Sequence, residues 1–274
     1  MKIVHSNGAD IPALGFGTWP MRGEVCVRSV TDGLQLGYRH IDTAQGYGNE
    51  AEVGEGIAAS GVKRDAIFIT TKVRPEWTST ALMPKSVEAS LKKLRTDRVD
   101  LLLAHWPNPA IPVAETVTAL SEMKRRGLTR HIGVSNYTVA LLDEAVRRSP
   151  EPIVTHQFEY HPYADQTRIL AATRGHGLAV TAYCPIALGR VVGDPVIERI
   201  GQGHGRSAVQ VTLRWLLQQD RLIAIPKSSR RERLKENLDV FDFELSSGEM
   251  AELSALRRPG FHLINEPAWV AKWD

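Results

Sequence analysis

A chain of 274 residues, 43% hydrophobic and 24% charged, can bury a sizeable core in one large domain or two small ones without disulfides or structural metals. A formal net charge of +3 gives no argument for a nucleic-acid partner, and no apolar run approaches the ~18 residues that a membrane span needs. Two distant cysteines, Cys26 and Cys184, make neither a disulfide framework nor a zinc knuckle and fit a reducing, cytoplasmic setting, while the polar stretch Met1–Asp10 lacks the apolar core of a signal peptide.

Along the chain, short β-branched or apolar runs alternate with longer amphipathic stretches. A strand is expected near Ala13–Gly15, a helix near 24–36, a strand at Tyr38–Ile41, a helix near 49–60 and a strand at Ile67–Val73. Pro84–Leu94 reads as a helix, because Val87, Leu91 and Leu94 fall at i, i+4 and i+7 and Pro84 suits a first turn. Val99–Ala104 is a near-continuous apolar run, the pattern of a strand buried on both faces. In Ala114–Arg126 the residues Val117, Leu120 and Met123 share a helix face, and Gly127 reads as its stop. Strands at His131–Val134, Ile153–Phe158, Leu178–Tyr183 and Leu222–Ile225 then alternate with helices near 138–148, 165–176, 207–219 and 230–238.

Eight strands alternating with helices imply parallel β–α units. With no Pro/Gly/Ser-rich linker in the sequence, the expected fold is α/β: one closed (β/α)8 TIM barrel over residues 1–274, with a C-terminal tail of about 258–274 as a possible contributor to the substrate pocket. The competing architecture, an open doubly wound sheet, announces its cofactor with a glycine-rich turn after the first strand. The nearest matches, residues Gly15–Pro20 and Gly201–Arg206, lack a third glycine in the right place, and the second follows a helical stretch. P-loop, HExxH and GxSxG motifs are absent.

The polar residues gather at the C-terminal ends of the expected strands. Asp42 ends the second, with Tyr47 in the loop beyond it, and Lys72 lies on the third. His105 and Trp106 follow the fourth, Ser135 and Asn136 the fifth, Gln157 the sixth, Tyr183 the seventh, and Lys227 and Ser228 the eighth. In a barrel these positions share the rim on which active sites are built. A tyrosine hydroxyl titrates near ~10, too high for an efficient proton donor at neutral pH, and a neighbouring ammonium lowers that value. Lys72 is the candidate ammonium, Asp42 its counter-charge, and His105 a hydrogen-bonding partner for a substrate oxygen. Such a set can protonate an oxyanion as it forms, which carbonyl reduction needs when a hydride arrives from the other side. Plain structural readings stand beside these: a turn or cap residue for Asp42, a surface aromatic for Tyr47, a core histidine for His105. Lys72, inside an otherwise apolar strand, has the least room for one.

From Ile11 to Asn237 the sequence resembles the aldo-keto reductase superfamily, and within it a short bacterial-type member similar to diketogluconate reductase-like enzymes. The pieces are Leu14-Gly15-Phe16-Gly17-Thr18-Trp19, Tyr38-Arg39-His40-Ile41-Asp42-Thr43-Ala44 with Tyr47-Gly48-Asn49-Glu50, Thr71-Lys72-Val73, His105-Trp106-Pro107 and Ile132-Gly133-Val134-Ser135-Asn136-Tyr137. Gln157, Ala182-Tyr183 and Ile225-Pro226-Lys227-Ser228 with Arg233, Glu236 and Asn237 complete the set. The resemblance implies NADPH-dependent reduction of aldehydes or ketones, with Tyr47 as proton donor, Lys72 and Asp42 tuning it, and His105 orienting the carbonyl. It also implies that Ser135, Asn136 and Gln157 hold the nicotinamide carboxamide and that Tyr183 stacks on its ring. Lys227, Ser228 and Arg233 would bind the adenosine 2′-phosphate, as two fixed cations and a hydroxyl suit a dianion. Glu236 and Asn237 match adenine contacts, and Pro185–Arg190, with Leu188, matches the loop over the pyrophosphate. Family members are often monomeric, which sets a monomer as the expected state.

The sequence departs from the family at Cys184, where many relatives carry serine, and in its shortness, which predicts trimmed rim loops. Trp19, Trp77 and Trp106 each follow a barrel strand and are the candidate substrate-pocket walls. The tail carries Phe261, Trp269 and Trp273, and two roles stay open for it: closing over the substrate or packing on the barrel. Two rival functions stand beside this reading. A metal-dependent barrel hydrolase could use His40, Asp42, His105, His131, His156 and His161, but leaves Lys72 and Tyr47 unexplained. A non-catalytic NADPH-sensing barrel would bind the cofactor without turnover.

Overall fold

The computed structural model describes residues 2–264. In chain order its strands are β1 (Ile3–Ser6), β2 (Ala9–Pro12), β3 (Phe16–Gly17), β4 (His40–Asp42), β5 (Phe68–Val73), β6 (Val99–Ala104), β7 (Thr129–Ser135), β8 (Ile153–Glu159), β9 (Ala179–Tyr183) and β10 (Leu222–Ala224). Its helices are α1 (Gly23–Leu36), α2 (Glu50–Ala59), α3 (Met83–Leu94), α4 (Val113–Arg125), α5 (Val139–Arg148), α6 (Thr167–Gly175), α7 (Pro195–His204), α8 (Ala208–Gln218), α9 (Arg231–Leu238) and α10 (Ser247–Ala255).

Strands β3 to β10 form one parallel sheet in sequential order. The sheet curls until its ends meet: Leu14 bridges Ala224 in parallel, Gly15 N donates to Ala224 O at 2.9 Å, and Ala224 N to Ala13 O at 2.9 Å. The expected (β/α)8 barrel is thereby closed, although its first strand is displaced to Phe16–Gly17 and the expected run Ala13–Gly15 supplies the seam instead. Gly15 is required there, since a Cβ would lie 2.8 Å from His40 Nδ1 and 2.9 Å from Ile225 Cγ2. The Gly15–Gly17 pair thus serves barrel closure, not a phosphate turn.

The helices follow from their patterns. Val87, Leu91 and Leu94 of α3 and Val117, Leu120 and Met123 of α4 are buried, as their spacing predicts, and each such side chain contributes about 1.5–3 kcal/mol when fully buried. Gly127 takes φ +74° just beyond α4, the left-handed conformation of a helix stop. Val99–Ala104 is buried at every position, with parallel partners on both sides.

Three elements lie beyond the expected set. An antiparallel hairpin, β1–β2, turns at Asn7-Gly8, both with positive φ. It sits under the starting ends of the strands: Ser6 Oγ donates to Val154 O at 2.6 Å and accepts from Ala179 N at 3.1 Å, and Asn7 Nδ2 donates to Ile153 O at 2.7 Å. Helix α7 begins at Pro195 behind the Asp194 cap, and α10 begins behind a capping box of Ser246 and Glu249. Among the described residues, no helix is long and apolar enough to cross a membrane.

Candidate active site at the barrel mouth

Because the eight-stranded sheet is parallel, β3 to β10 all end on one rim. Asp42 is the last residue of β4 and Lys72 the fifth of β5, both fully enclosed. The ammonium spends its three protons on three acceptors: Asp42 Oδ1 at 2.5 Å, Thr43 O at 3.0 Å and the Tyr47 hydroxyl at 3.2 Å. The second carboxylate oxygen, Asp42 Oδ2, accepts from Gln157 Nε2 at 2.9 Å. A buried ion pair of this kind costs several kcal/mol of desolvation per ion and is a poor device for stability alone.

Tyr47 reaches the lysine on a pinned turn. Residues Gln45–Tyr47 form one 3-10 turn, closed by Gly48 at φ +63°. On one side Gln45 Nε2 donates to Ser90 Oγ at 3.0 Å while its Oε1 accepts from Arg74 N at 3.0 Å. On the other, Asn49 accepts from Thr43 Oγ1 at 2.9 Å and donates to Thr18 O at 3.1 Å and Met21 O at 3.0 Å. His105 follows β6 and meets the Tyr47 ring edge-on, centroids 5.6 Å apart and planes at 78°. The four residues read as catalytic are thus brought together at one end of the barrel.

Burial, the largest influence on the Tyr47 phenol, raises its pKa; Lys72 pulls it back down, Asp42 raises it, and the net displacement is upward. The expected net lowering by the ammonium is therefore corrected: Lys72 acts in that direction, but desolvation outweighs it and the phenol keeps its proton. For Lys72 burial acts downward, but Asp42 and then Tyr47 outweigh it, so its pKa is raised and the ammonium stays charged. Burial, then Lys72, then Arg74 push His105 well below the ordinary histidine range, leaving a neutral imidazole. A neutral phenol propped by an ammonium, beside a neutral imidazole, can donate a proton to a developing oxyanion.

The residues assigned to the nicotinamide lie on the same rim. Ser135 ends β7 opposite Gln157 of β8. Asn136, at φ +61°, donates from Nδ2 to His105 O at 3.0 Å and to Ser135 Oγ at 3.1 Å, and accepts from the Tyr183 hydroxyl at 2.8 Å. Tyr183, the last residue of β9, is therefore held in place by its hydroxyl. Leu188, at φ +54°, is 55% exposed in the short turn Ala187–Gly189.

Beyond β10, the Ser228 hydroxyl accepts from Arg230 N at 3.2 Å, and Lys227 is exposed. Arg233 is exposed on α9, and among the described residues neither it nor Lys227 has a carboxylate within 4.0 Å, whereas Arg231 is paired with Asp32. Lys227 and Ser228 thus follow β10 and Arg233 lies on α9, and cations and a hydroxyl are the groups a phosphate takes as partners. Glu236 and Asn237 are engaged by the protein: the Glu236 carboxylate accepts from Ser207 Oγ, and Asn237 is buried against the Tyr38 hydroxyl. Of the three candidate walls, Trp19 and Trp77 are exposed and Trp106 is buried. Trp77 stacks under the Arg74 guanidinium, 5.5 Å from its centroid. In the tail, Phe261 packs on the barrel, while Trp269 and Trp273 lie outside the described residues.

A sequence profile of the Aldo/keto reductase family matches residues 13–258. The chain belongs to this family. Among its relatives, a Salmonella typhi protein named methylglyoxal reductase DkgB is 43% identical over 267 residues, covering 96% of this chain and 99% of that one. A Mycolicibacterium vanbaalenii aldo-keto reductase is 38% identical over 93% of this chain and 91% of its own. Among solved structures, one with the provisional description 2,5-diketo-D-gluconic acid reductase B superposes at TM-score 0.98 with 48% identity, covering 100% of this chain and 98% of that one. A Bombyx mori aldo-keto reductase in complex with NADP superposes at 0.87 with 33% identity, covering 93% and 92%. As an aldo/keto reductase the chain is a carbonyl-reducing oxidoreductase acting on small molecules.

Sequence reasoning missed one functional-looking group at this rim. Glu159, the last residue of β8, is fully buried, and its signal was the alternation Gln157, Glu159, His161 of polar residues at the end of an apolar strand.

Proposed function

We propose that this aldo/keto reductase reduces aldehydes or ketones to alcohols with NADPH, and that Tyr47 is the proton donor. The observation that carries the reading is the Lys72 ammonium, whose third proton falls on the Tyr47 oxygen at 3.2 Å while Asp42 neutralises it at 2.5 Å. The phenol accepts from lysine and keeps its own hydrogen to donate into the mouth. The cofactor supplies the hydride when bound. The chain's own work is to hold the carbonyl oxygen between the Tyr47 hydroxyl and the neutral His105, and to deliver the phenolic proton as negative charge builds on that oxygen. Ser135, Asn136 and Gln157 orient the carboxamide, Tyr183 backs the ring, and Lys227, Ser228 and Arg233 select the 2′-phosphate. Leu188 borders the pyrophosphate loop, Glu236 and Asn237 border the adenine, and Trp19, Trp77 and Trp106 wall the substrate. The same reading takes a cytoplasmic monomer. The names of its relatives direct the substrate search to small dicarbonyls and keto sugar acids.

Loss of reduced-nicotinamide absorbance with a panel of methylglyoxal, a keto sugar acid and an aromatic aldehyde tests it. Wild type should turn over, and Tyr47→Phe should lose about 100-fold or more in kcat while still binding NADPH. Full activity in Tyr47→Phe removes the proton-donor role. Tight NADPH binding without turnover on any carbonyl favours the sensor.

A further inference from the structure

Taking the barrel mouth as the carbonyl site, we propose that Glu159 is a positioning residue: its carboxylate fastens the C-terminal segment beside the nicotinamide platform and so sets how tightly carbonyl substrates are held.

The placement follows from strand periodicity. Side chains two apart on a strand share a face, so Thr155, Gln157 and Glu159 of β8 line up along one side. That side faces the barrel interior, since the hydroxyls of Thr155 and Thr181 meet at 2.8 Å and Gln157 reaches Asp42 at 2.9 Å. Glu159 is the next residue up, in register with Tyr183. Its backbone is fixed as well, with the carbonyl accepting from Gln166 Nε2 at 2.7 Å.

The carboxylate is fully buried and faces no lysine or arginine within 4.0 Å among the described residues. Its partners are two backbone amides and an imidazole. Oε1 accepts from Leu263 N at 2.8 Å and from His161 Nε2 at 2.9 Å, and Oε2 accepts from Ile264 N at 2.9 Å. His161 Nδ1 accepts from Tyr163 N at 3.3 Å, which leaves the imidazole proton on Nε2, where it can donate to the carboxylate. Two consecutive backbone amides, 104 and 105 residues away in sequence, thus converge on one carboxylate group.

The approach to this clasp is itself docked. Arg258 N donates to Tyr163 O at 2.9 Å. Phe261 meets the rings of His161 and Tyr163 edge-on, at 5.9 and 6.2 Å. The Arg258 and Arg190 guanidiniums lie 5.7 and 5.8 Å from the Phe261 centroid. Residues 258–264 therefore run along the loop after β8 and arrive at the mouth one residue layer above Gln157. Burying an ionised carboxylate is costly, and packing alone would be served as well by an apolar side chain. Two backbone acceptor sites in fixed directions are what an apolar residue cannot supply. A segment held this way borders the space in which a carbonyl substrate must sit against Tyr183 and Tyr47.

The experiment pairs amide hydrogen exchange with steady-state kinetics on the full chain. Glu159→Gln keeps the shape but turns one acceptor into a donor facing a backbone N–H. Exchange at Leu263 and Ile264 should accelerate about tenfold or more, and KM for carbonyl substrates should rise about fivefold or more, while kcat and the NADPH dissociation constant stay within about twofold. Phe261→Ala, which releases the same segment without touching the carboxylate, should move exchange and KM in the same direction, and it carries the test if Glu159→Gln does not fold. Unchanged exchange at both amides overturns the clasp. Faster exchange with unchanged KM for every carbonyl overturns its role in substrate holding. A fall in kcat and NADPH affinity at constant KM would show Glu159 acting on the Tyr183 platform, which also overturns it. A wild type without carbonyl turnover sinks the functional reading itself, and is distinguishable because the exchange difference at the two amides persists.

Discussion

Gln157 and Asp42, 115 residues apart, are joined by a hydrogen bond of 2.9 Å from the Gln157 amide to the carboxylate oxygen that Lys72 leaves free. The residue proposed for the nicotinamide carboxamide is thus wired to the counter-charge of the Lys72 ammonium. Gln157→Leu removes a donor from a buried, charged acceptor, a loss of about 1.5–3 kcal/mol. The NADPH dissociation constant should rise about tenfold, with kcat falling as well, and fluorescence titration beside single-turnover rates would measure both. An unaltered cofactor affinity would remove Gln157 from the carboxamide site.

Lys72→Met should be worse for folding than for packing. It leaves Asp42 buried without its cation, a situation that typically costs about 3–5 kcal/mol. Urea unfolding should show that loss. The double variant Lys72→Met with Asp42→Asn should recover a good part of the stability and none of the turnover, because the Tyr47 hydroxyl still lacks its ammonium. Activity restored along with stability would mean that the pair is only structural.

Arg233→Ala tests the phosphate end. A charge-assisted contact to a phosphate is worth about 1.5–3 kcal/mol, so KM for NADPH should rise about 10- to 100-fold while KM for NADH barely changes. Equal effects on the two cofactors would end the 2′-phosphate assignment.

Acid sensitivity should trace in part to His156. Burial lowers its pKa to about 3, and its ring is committed as a neutral imidazole: Nε2 accepts from Tyr137 N at 3.2 Å and Nδ1 faces Thr173 Oγ1 at 3.1 Å. Below an unfolded pKa near ~6.5 the unfolded chain takes up a proton that the folded one refuses, so stability falls as pH drops from there toward about 3. The slope for one such group reaches about 1.4 kcal/mol per pH unit. In His156→Gln, denaturant melts at pH 7, 6, 5 and 4 should show a shallower decline; the same decline would place the sensitivity elsewhere.

The periodicity of α3 and α4 and the apolar run of β6 were legible because each buries a face that sequence alone displays. The clustering of Asp42, Tyr47, Lys72 and His105 was legible for a similar reason: a lysine inside an apolar strand needs partners, and strand ends in a barrel share a rim. Other features carried signals that went unused. Asn7-Gly8 is a hairpin turn sequence, Asp194-Pro195 is a helix start, and Ser246 with Glu249 is a capping box. The direction of the Tyr47 displacement was not legible at all, since it depends on how far burial outweighs the lysine. Nor was the Glu159 clasp, whose partners at Leu263 and Ile264 are backbone amides that any residue type would present.

The β1–β2 hairpin lies beneath the starting ends of β8 and β9, on the face away from the chemistry. A tether attached ahead of Ile3 would therefore leave the molecule from its underside. Immobilised by that end, on a resin or an electrode, the enzyme would present its opening to the solution.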